Sequence, residues 1–117
     1  MSKNPRVLVL GSTGMLGHQL CNYLINNSDY ILFDIARTSK FRKETALIDV
    51  KNEGKLLDYF KEIRPDYIIN CIGILISGSN KNIEEAIFIN SYFPHMLTRV
   101  ADEIRSRIIH ISTDCVF

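Results

Sequence analysis

The chain has 117 residues, 46% apolar and 23% charged, with a formal net charge of +1 at pH 7. This is the size and balance of one globular domain with a small core. The near-neutral charge leaves no electrostatic footprint for nucleic acid or an anionic membrane surface, and the longest apolar stretch, Tyr67 to Ile76, is broken by Asn70 and too short to span a bilayer.

Residues 1–6 run straight toward a strand and lack the long apolar segment of a secretion signal. The first strand is predicted over Arg6–Leu10. It enters Gly11-Ser12-Thr13-Gly14-Met15-Leu16-Gly17, and a helix follows over Gly14–Asn26. Apolar residues at Leu16, Leu20, Cys21, Leu24 and Ile25 give that helix one stripe. Asn26 to Asp29 is a turn cluster, and Tyr30–Ile35 is the second strand. Arg37 to Lys43 is a basic, polar loop; Ala46–Ile48 is a short third strand. Asp49–Ile63 reads as a helix burying Leu56, Leu57, Phe60 and Ile63, and Pro65 stops it. Asp66 to Gly73 is the fourth strand and its exit, and Ser77 to Asn82 is a loop. Ile83–Glu103 is helical with a break expected near Pro94, Arg107–Ile111 is the fifth strand, and Ser112 to Phe117 ends the chain.

Strands alternating with helices predict an α/β domain with a parallel, doubly wound sheet. Right-handed crossovers give the strand order 3-2-1-4-5. Strand, glycine turn and amphipathic helix in that order mark the opening of a dinucleotide-binding βαβ unit. Each glycine then has a task. Gly11 permits the tight turn, Gly14 leaves room for a pyrophosphate at the helix N-terminus, and Gly17 lets helix and strand lie close. The spacing is G-x-x-G-x-x-G rather than G-x-G-x-x-G.

Ligands of open parallel sheets bind at the carboxyl ends of the strands near the switch point. That rule selects Gly11, Ser12, Thr13, Gly14, Met15, Leu16 and Gly17 after strand one. It selects Asp34, Arg37 and Thr38 after strand two, and Asp49 and Val50 after strand three. After strand four it selects Cys71, Ile72 and Gly73, and after strand five Ser112, Thr113 and Asp114. For Asp49 an N-cap role weighs equally with an adenine contact. Asp34 could bond the adenosine ribose hydroxyls, as in NAD binders, or turn away. Arg37, followed by Thr38, Ser39 and Lys40, could hold a 2′-phosphate. The basic, hydroxyl-rich loop favours NADP, with NAD as the alternative. His18 and His95 read as exposed and His110 as packed in its strand. The three are too scattered for a metal site, so none is assigned. Cys21, Cys71 and Cys115 form no CxxC pair and read as buried, reduced thiols of a cytoplasmic protein.

These features together resemble the extended short-chain dehydrogenase/reductase superfamily, with its Rossmann-type fold. The matching pieces are the Gly11–Gly17 turn, Asp66-Tyr67-Ile68-Ile69-Asn70-Cys71-Ile72-Gly73, Asn90 in the next helix, and Ile111-Ser112-Thr113-Asp114-Cys115-Val116-Phe117. The last piece is most similar to the S-T-D-Y-V-F segment of the dTDP-4-dehydrorhamnose reductases and related bacterial nucleotide-sugar reductases. The resemblance implies NADP-dependent reduction of a 4-keto nucleotide sugar for surface polysaccharide biosynthesis. It makes Thr113 the catalytic hydroxyl and Asn90 a cofactor-side residue, though a helix-break role for Asn90 is equally open. The proton donor of such enzymes is a Tyr in Y-x-x-x-K. Here Tyr23, Tyr30, Tyr59, Tyr67 and Tyr92 are followed four places on by Asn27, Asp34, Ile63, Cys71 and Met96. The expectation is therefore an NAD(P)-binding domain over 1–117, the N-terminal part of a reductase, inactive by itself. The alternative is a non-catalytic NAD(P)-binding subunit or sensor. A nucleotide sugar is the expected partner, and a homodimer is left open.

Overall fold

The computed structural model describes residues 4–26, 29–72 and 91–111. Its elements are β1 (Arg6–Leu10), α1 (Met15–Ile25), β2 (Ile31–Ala36), β3 (Ala46–Leu47), α2 (Glu53–Ile63), β4 (Tyr67–Asn70), α3 (Phe93–Ile104) and β5 (Arg107–His110). The five strands form one sheet in the order β3-β2-β1-β4-β5, and every neighbouring pair is parallel. The predicted order is the observed one. β1 lies at the centre, with Leu8 aligned to Phe33 on one side and Ile68 on the other.

Central placement explains why β1 reads as a continuous apolar run. Both of its faces are covered, as parallel strands require. Val7 and Val9 pack with Cys21 and Leu24 of α1. Leu8 and Leu10 point the other way, into a larger core with Ile35, Leu56, Phe60, Ile68, Met96 and Leu97. Each fully buried side chain of this size contributes about 1.5–3 kcal/mol before conformational entropy is counted.

Two features differ from the sequence expectation, the buried face of α1 and the start of α2, each for a local reason. α1 buries Gly17, Cys21 and Leu24, whereas Leu16 and Ile25 are exposed. The contact that sets the helix rotation is made by a glycine backbone, which an apolar stripe does not register. α2 begins at Glu53 rather than Asp49, because the Asn52 side chain caps it by accepting from Lys55 N at 3.1 Å. Asp49 forms its own turn instead, with Lys51 N donating to its Oδ1 at 3.0 Å. The helix predicted from Ile83 is described only from residue 91. Its regular part starts at Phe93, with Pro94 in the first turn, where no intrahelical N–H is needed. At the other end of α2, Arg64 adopts φ 46° and Pro65 follows, so the helix stops there as predicted.

Candidate functional site

The carboxyl ends of β1, β2 and β4 meet at the Gly11 turn, and β3 and β5 join them on either side. Gly11 N and Ser12 N both donate to Ile35 O of β2, at 2.9 and 3.2 Å. Cys71 N donates to Leu10 O at 3.0 Å, tying the exit of β4 to the exit of β1. Ile48 N reaches Ala36 O at 3.0 Å, and Ile111 N reaches Asn70 O at 3.1 Å. Sheets of this type hold their ligands at these strand ends.

The three glycines separate into different physical roles. Gly11 has φ +87°, a left-handed conformation that disfavours any side chain. A Cβ there would also stand 3.0 Å from Ile72 Cγ1. A Cβ at Gly17 would collide with the Gly11 carbonyl, lying 2.8 Å from its carbon. At Gly14 the nearest atom to a built Cβ is Gly11 O at 3.5 Å, an ordinary contact. The described residues give no steric reason for glycine at position 14.

Gly14 is the N-cap of α1, and no side chain caps this end. The first helical bond is His18 N to Gly14 O at 2.8 Å. The N–H groups of Met15, Leu16 and Gly17 therefore have no intrahelical acceptor. The first turn carries no acidic residue to compete for them. Positive dipole and free donors together favour an anion at this end. Ser12 is buried beneath the turn, while Thr13, Met15 and Leu16 are exposed around it.

Asp34 departs from the ribose-binding expectation. Its side chain is fully buried and both carboxylate oxygens are occupied. Arg42 Nε donates to Oδ1 at 2.8 Å and Thr45 Oγ1 to Oδ2 at 2.6 Å. Arg42 also donates from its side chain to Leu32 O at 2.6 Å and from its backbone to Thr45 Oγ1 at 2.9 Å. So Asp34 turns away from solvent, because a guanidinium and a hydroxyl compensate its charge inside. Arg37, Thr38, Ser39 and Lys40 are all exposed on the loop above.

Asp49 is exposed and engaged in its turn, and Val50 is a core residue whose side chain packs with Leu56 and Phe60. Its predicted cofactor contact thus falls on a side chain turned inward. Cys71 and Ile72 are half-buried beside Gly11. His18 is exposed as expected, near Asn22 at 3.2 Å and edge-on to Phe41 at 5.0 Å. His110 is exposed rather than packed, because β5 is an outer strand of the described sheet; its Nδ1 lies 3.3 Å from Asn70 Nδ2. Gly73, Asn90, Ser112, Thr113 and Asp114 lie outside the described residues.

Burial pushes the Cys21 thiol up to about 12, with the Asp34 charge adding to it. Burial raises Cys71 too. Both are neutral thiols near pH 7, and neither has the low-pKa environment of a nucleophile. Among the described residues no group of three His, Cys, Asp or Glu could hold a metal ion. None of their helices is long and apolar enough to cross a membrane. What the site can do is hold an anionic, phosphate-bearing ligand through backbone N–H groups.

Arg42, Thr45 and Asn70 were not selected from the sequence as site residues. A charged residue inside an apolar strand signals a partner, but nothing local says which nearby cation reaches it. Asn70 is 4% exposed, and its Oδ1 accepts from Ile72 N at 3.1 Å, shaping the β4 exit.

The profile of the NAD dependent epimerase/dehydratase family matches residues 7–117. The dTDP-4-dehydrorhamnose reductase of Escherichia coli K12 is 29% identical over 112 residues, covering 95% of this chain and 36% of that protein. The spore coat polysaccharide biosynthesis protein SpsK of Bacillus subtilis is 27% identical over 113 residues, 96% of this chain and 37% of that protein. The crystal structure of dTDP-4-dehydrorhamnose reductase from Bacillus anthracis, in complex with NADP, superposes with a TM-score of 0.81 at 26% identity, covering 100% of this chain and 39% of that one. The chain thus spans a little over a third of the length of the curated relatives it matches.

Proposed function

The chain belongs to the NAD dependent epimerase/dehydratase family, and from that premise we propose that it is the cofactor-binding part of an NADP-dependent oxidoreductase reducing a 4-keto nucleotide sugar. The observation that carries the reading is Gly14. Among the described residues a Cβ there would meet only Gly11 O at 3.5 Å, so room remains at the uncapped end of α1. A cofactor pyrophosphate uses that room and the free N–H groups of that helix end, whereas the fold alone does not need it. The relatives support the reaction class, since the name shared by several of them is a nucleotide-sugar reductase.

In this reading the Met15–Gly17 amides hold the pyrophosphate and Arg37 meets the 2′-phosphate, with Thr38 beside it. Cys71 and Ile72 wall the crevice between β1 and β4. Bound NADPH would supply hydride to the keto carbon. Thr113 would hydrogen-bond the carbonyl oxygen where the chain leaves β5, and Gly73, Asn90 and Ser112 would line the same side. Proton transfer would fall to a Tyr–Lys pair, and these 117 residues hold no Y-x-x-x-K. Buried, neutral Cys21 fits a reducing cytoplasmic compartment.

The first test is calorimetric titration of NADPH and NADH into the chain, with binding of NADPH and weaker binding of NADH expected. The second uses a longer polypeptide that carries a Y-x-x-x-K. It should oxidise NADPH with a dTDP-4-keto sugar, while the 117-residue chain should not. Loss of Thr113 in it, as Thr113→Val, should slow turnover ~10²-fold or more, the scale of one positioned donor to a developing oxyanion. No NADPH binding by the short chain overturns the reading.

A further inference from the structure

The basic loop after β2 raises a question of charge. Arg37 and Lys40 stand on it, yet Asp34, only a few residues away at the end of β2, would repel a phosphate held there. The structure disposes of that carboxylate through Arg42. The Arg42 guanidinium sits against Asp34 and reaches Leu32 O, while the loop doubles back so that Thr45 N donates to Arg42 O at 3.1 Å. Phe41, the residue before Arg42, packs on the α1-side core and against the ring of His18 in the first turns of α1. The loop is thereby pinned to β2 by one residue and to the anion-binding helix by its neighbour.

We propose that Arg42 is a positioning residue that sets cofactor preference without touching the cofactor: it neutralises Asp34 and turns it inward, leaving the loop's exposed cations to read a 2′-phosphate. The inference rests on the cofactor reading above. Without Arg42, Asp34 keeps only the Thr45 hydroxyl as a partner, and a buried carboxylate with no cation beside it is unstable. It then turns outward, repels the 2′-phosphate of NADPH and offers its oxygens to the ribose diol of NADH. Arg42 thus selects against NADH by concealing a carboxylate as much as it favours NADPH.

The experiment measures the dissociation constants of NADPH and NADH for the wild-type chain, Arg42→Ala, Arg42→Gln and Asp34→Asn/Arg42→Ala, with circular dichroism recording the fold. The expected preference for NADPH over NADH falls at least tenfold in Arg42→Ala and at least threefold in Arg42→Gln, which keeps a donor but no charge. In the double variant it returns to within threefold of wild type, because no carboxylate remains to repel. A general loosening of the loop predicts no such recovery. An unchanged preference in folded Arg42→Ala or in Arg42→Gln overturns the inference, as does a double variant no better than Arg42→Ala. If wild type binds neither nucleotide, the cofactor reading falls and takes this inference with it; if wild type binds and the preference does not move, the inference falls alone.

Discussion

Gly17 rests directly on Gly11. A Cβ added to Gly17 would lie 2.8 Å from the Gly11 carbonyl carbon and deeper still into its oxygen, and both are backbone atoms. Backbone cannot swing aside as a flexible side chain does. Gly17→Ala should therefore destabilise the domain by about 1–3 kcal/mol, the cost of forcing extra atoms into packed space. The ~1 kcal/mol that alanine gains over glycine in a helix offsets this only in part. Urea unfolding of wild type and variant checks it, and an equal or raised midpoint in Gly17→Ala would contradict the close packing of α1 on the turn.

Gly14 makes the opposite case, three residues earlier. Among the described residues a Cβ there meets nothing closer than Gly11 O at 3.5 Å. Gly14→Val should leave the domain folded, at a cost of about 0.5–2 kcal/mol because valine is a far poorer N-cap than glycine. It should remove measurable NADPH binding by filling the pyrophosphate site. Undiminished NADPH affinity in Gly14→Val would mean that the cofactor does not lie over this turn.

These two glycines show how much of the site was legible in the sequence. The strand–turn–helix order, the strand order and the convergence on Gly11 follow from local periodicity and from the handedness of crossovers, both of which a sequence displays. The orientation of Asp34 does not. It depends on Arg42 and Thr45, eight and eleven positions on, whose side chains meet it only because the loop folds back. Likewise Asp49 and Asn52 are both good caps, and only the helix itself shows that Asn52 serves. His110 read as packed because its strand is apolar, but the strand is an outer one in the described sheet.

Asn70 holds the β4 exit in shape through Ile72 N and approaches His110 on β5. Removing the side chain in Asn70→Ala leaves the Ile72 N–H without its acceptor in a half-buried place. The expected loss is about 1–3 kcal/mol. Ile72 also abuts Gly11, so NADPH affinity should fall together with stability. Hydrogen exchange locates the effect: the amide of Ile72 should exchange faster in the variant, while that of Leu8 in β1 should follow global stability alone. Unchanged exchange at Ile72 would show that the bond does not hold the exit.

The buried thiol gives the domain a dependence on alkaline pH. Cys21 is raised from 9.0 to about 12, first by burial. Tyr59 is raised from 10.0 to about 12 in the same way. Unfolding exposes both, so the unfolded chain loses protons that the folded chain keeps. Their stabilising effect is complete below about pH 9 and is lost as pH rises from there toward 12. Stability from urea unfolding should be nearly level with respect to these groups from pH 7 to 8 and decline from pH 9 to 10. Cys21→Ala should flatten the first part of that decline. A slope indistinguishable from wild type in Cys21→Ala would assign the effect elsewhere.

Arg37 is exposed on the loop that Arg42 anchors, and in the cofactor reading it faces the 2′-phosphate. A hydrogen bond to a charged group is worth about 1.5–3 kcal/mol. Arg37→Ala should therefore weaken NADPH binding by roughly tenfold to a hundredfold, while NADH, which lacks that phosphate, changes little. The asymmetry is the informative part, since general damage to the loop would weaken both nucleotides. Arg37 and Arg42 are also separable by salt. An exposed phosphate contact is screened at high ionic strength, so the NADPH preference carried by Arg37 should shrink as salt rises. The Asp34–Arg42 pair, with its carboxylate fully buried, is screened much less. Titrations at low and high ionic strength decide the matter. If Arg37→Ala weakens both nucleotides alike, Arg37 does not read the phosphate, and another exposed group on the loop, Lys40 first, takes that role.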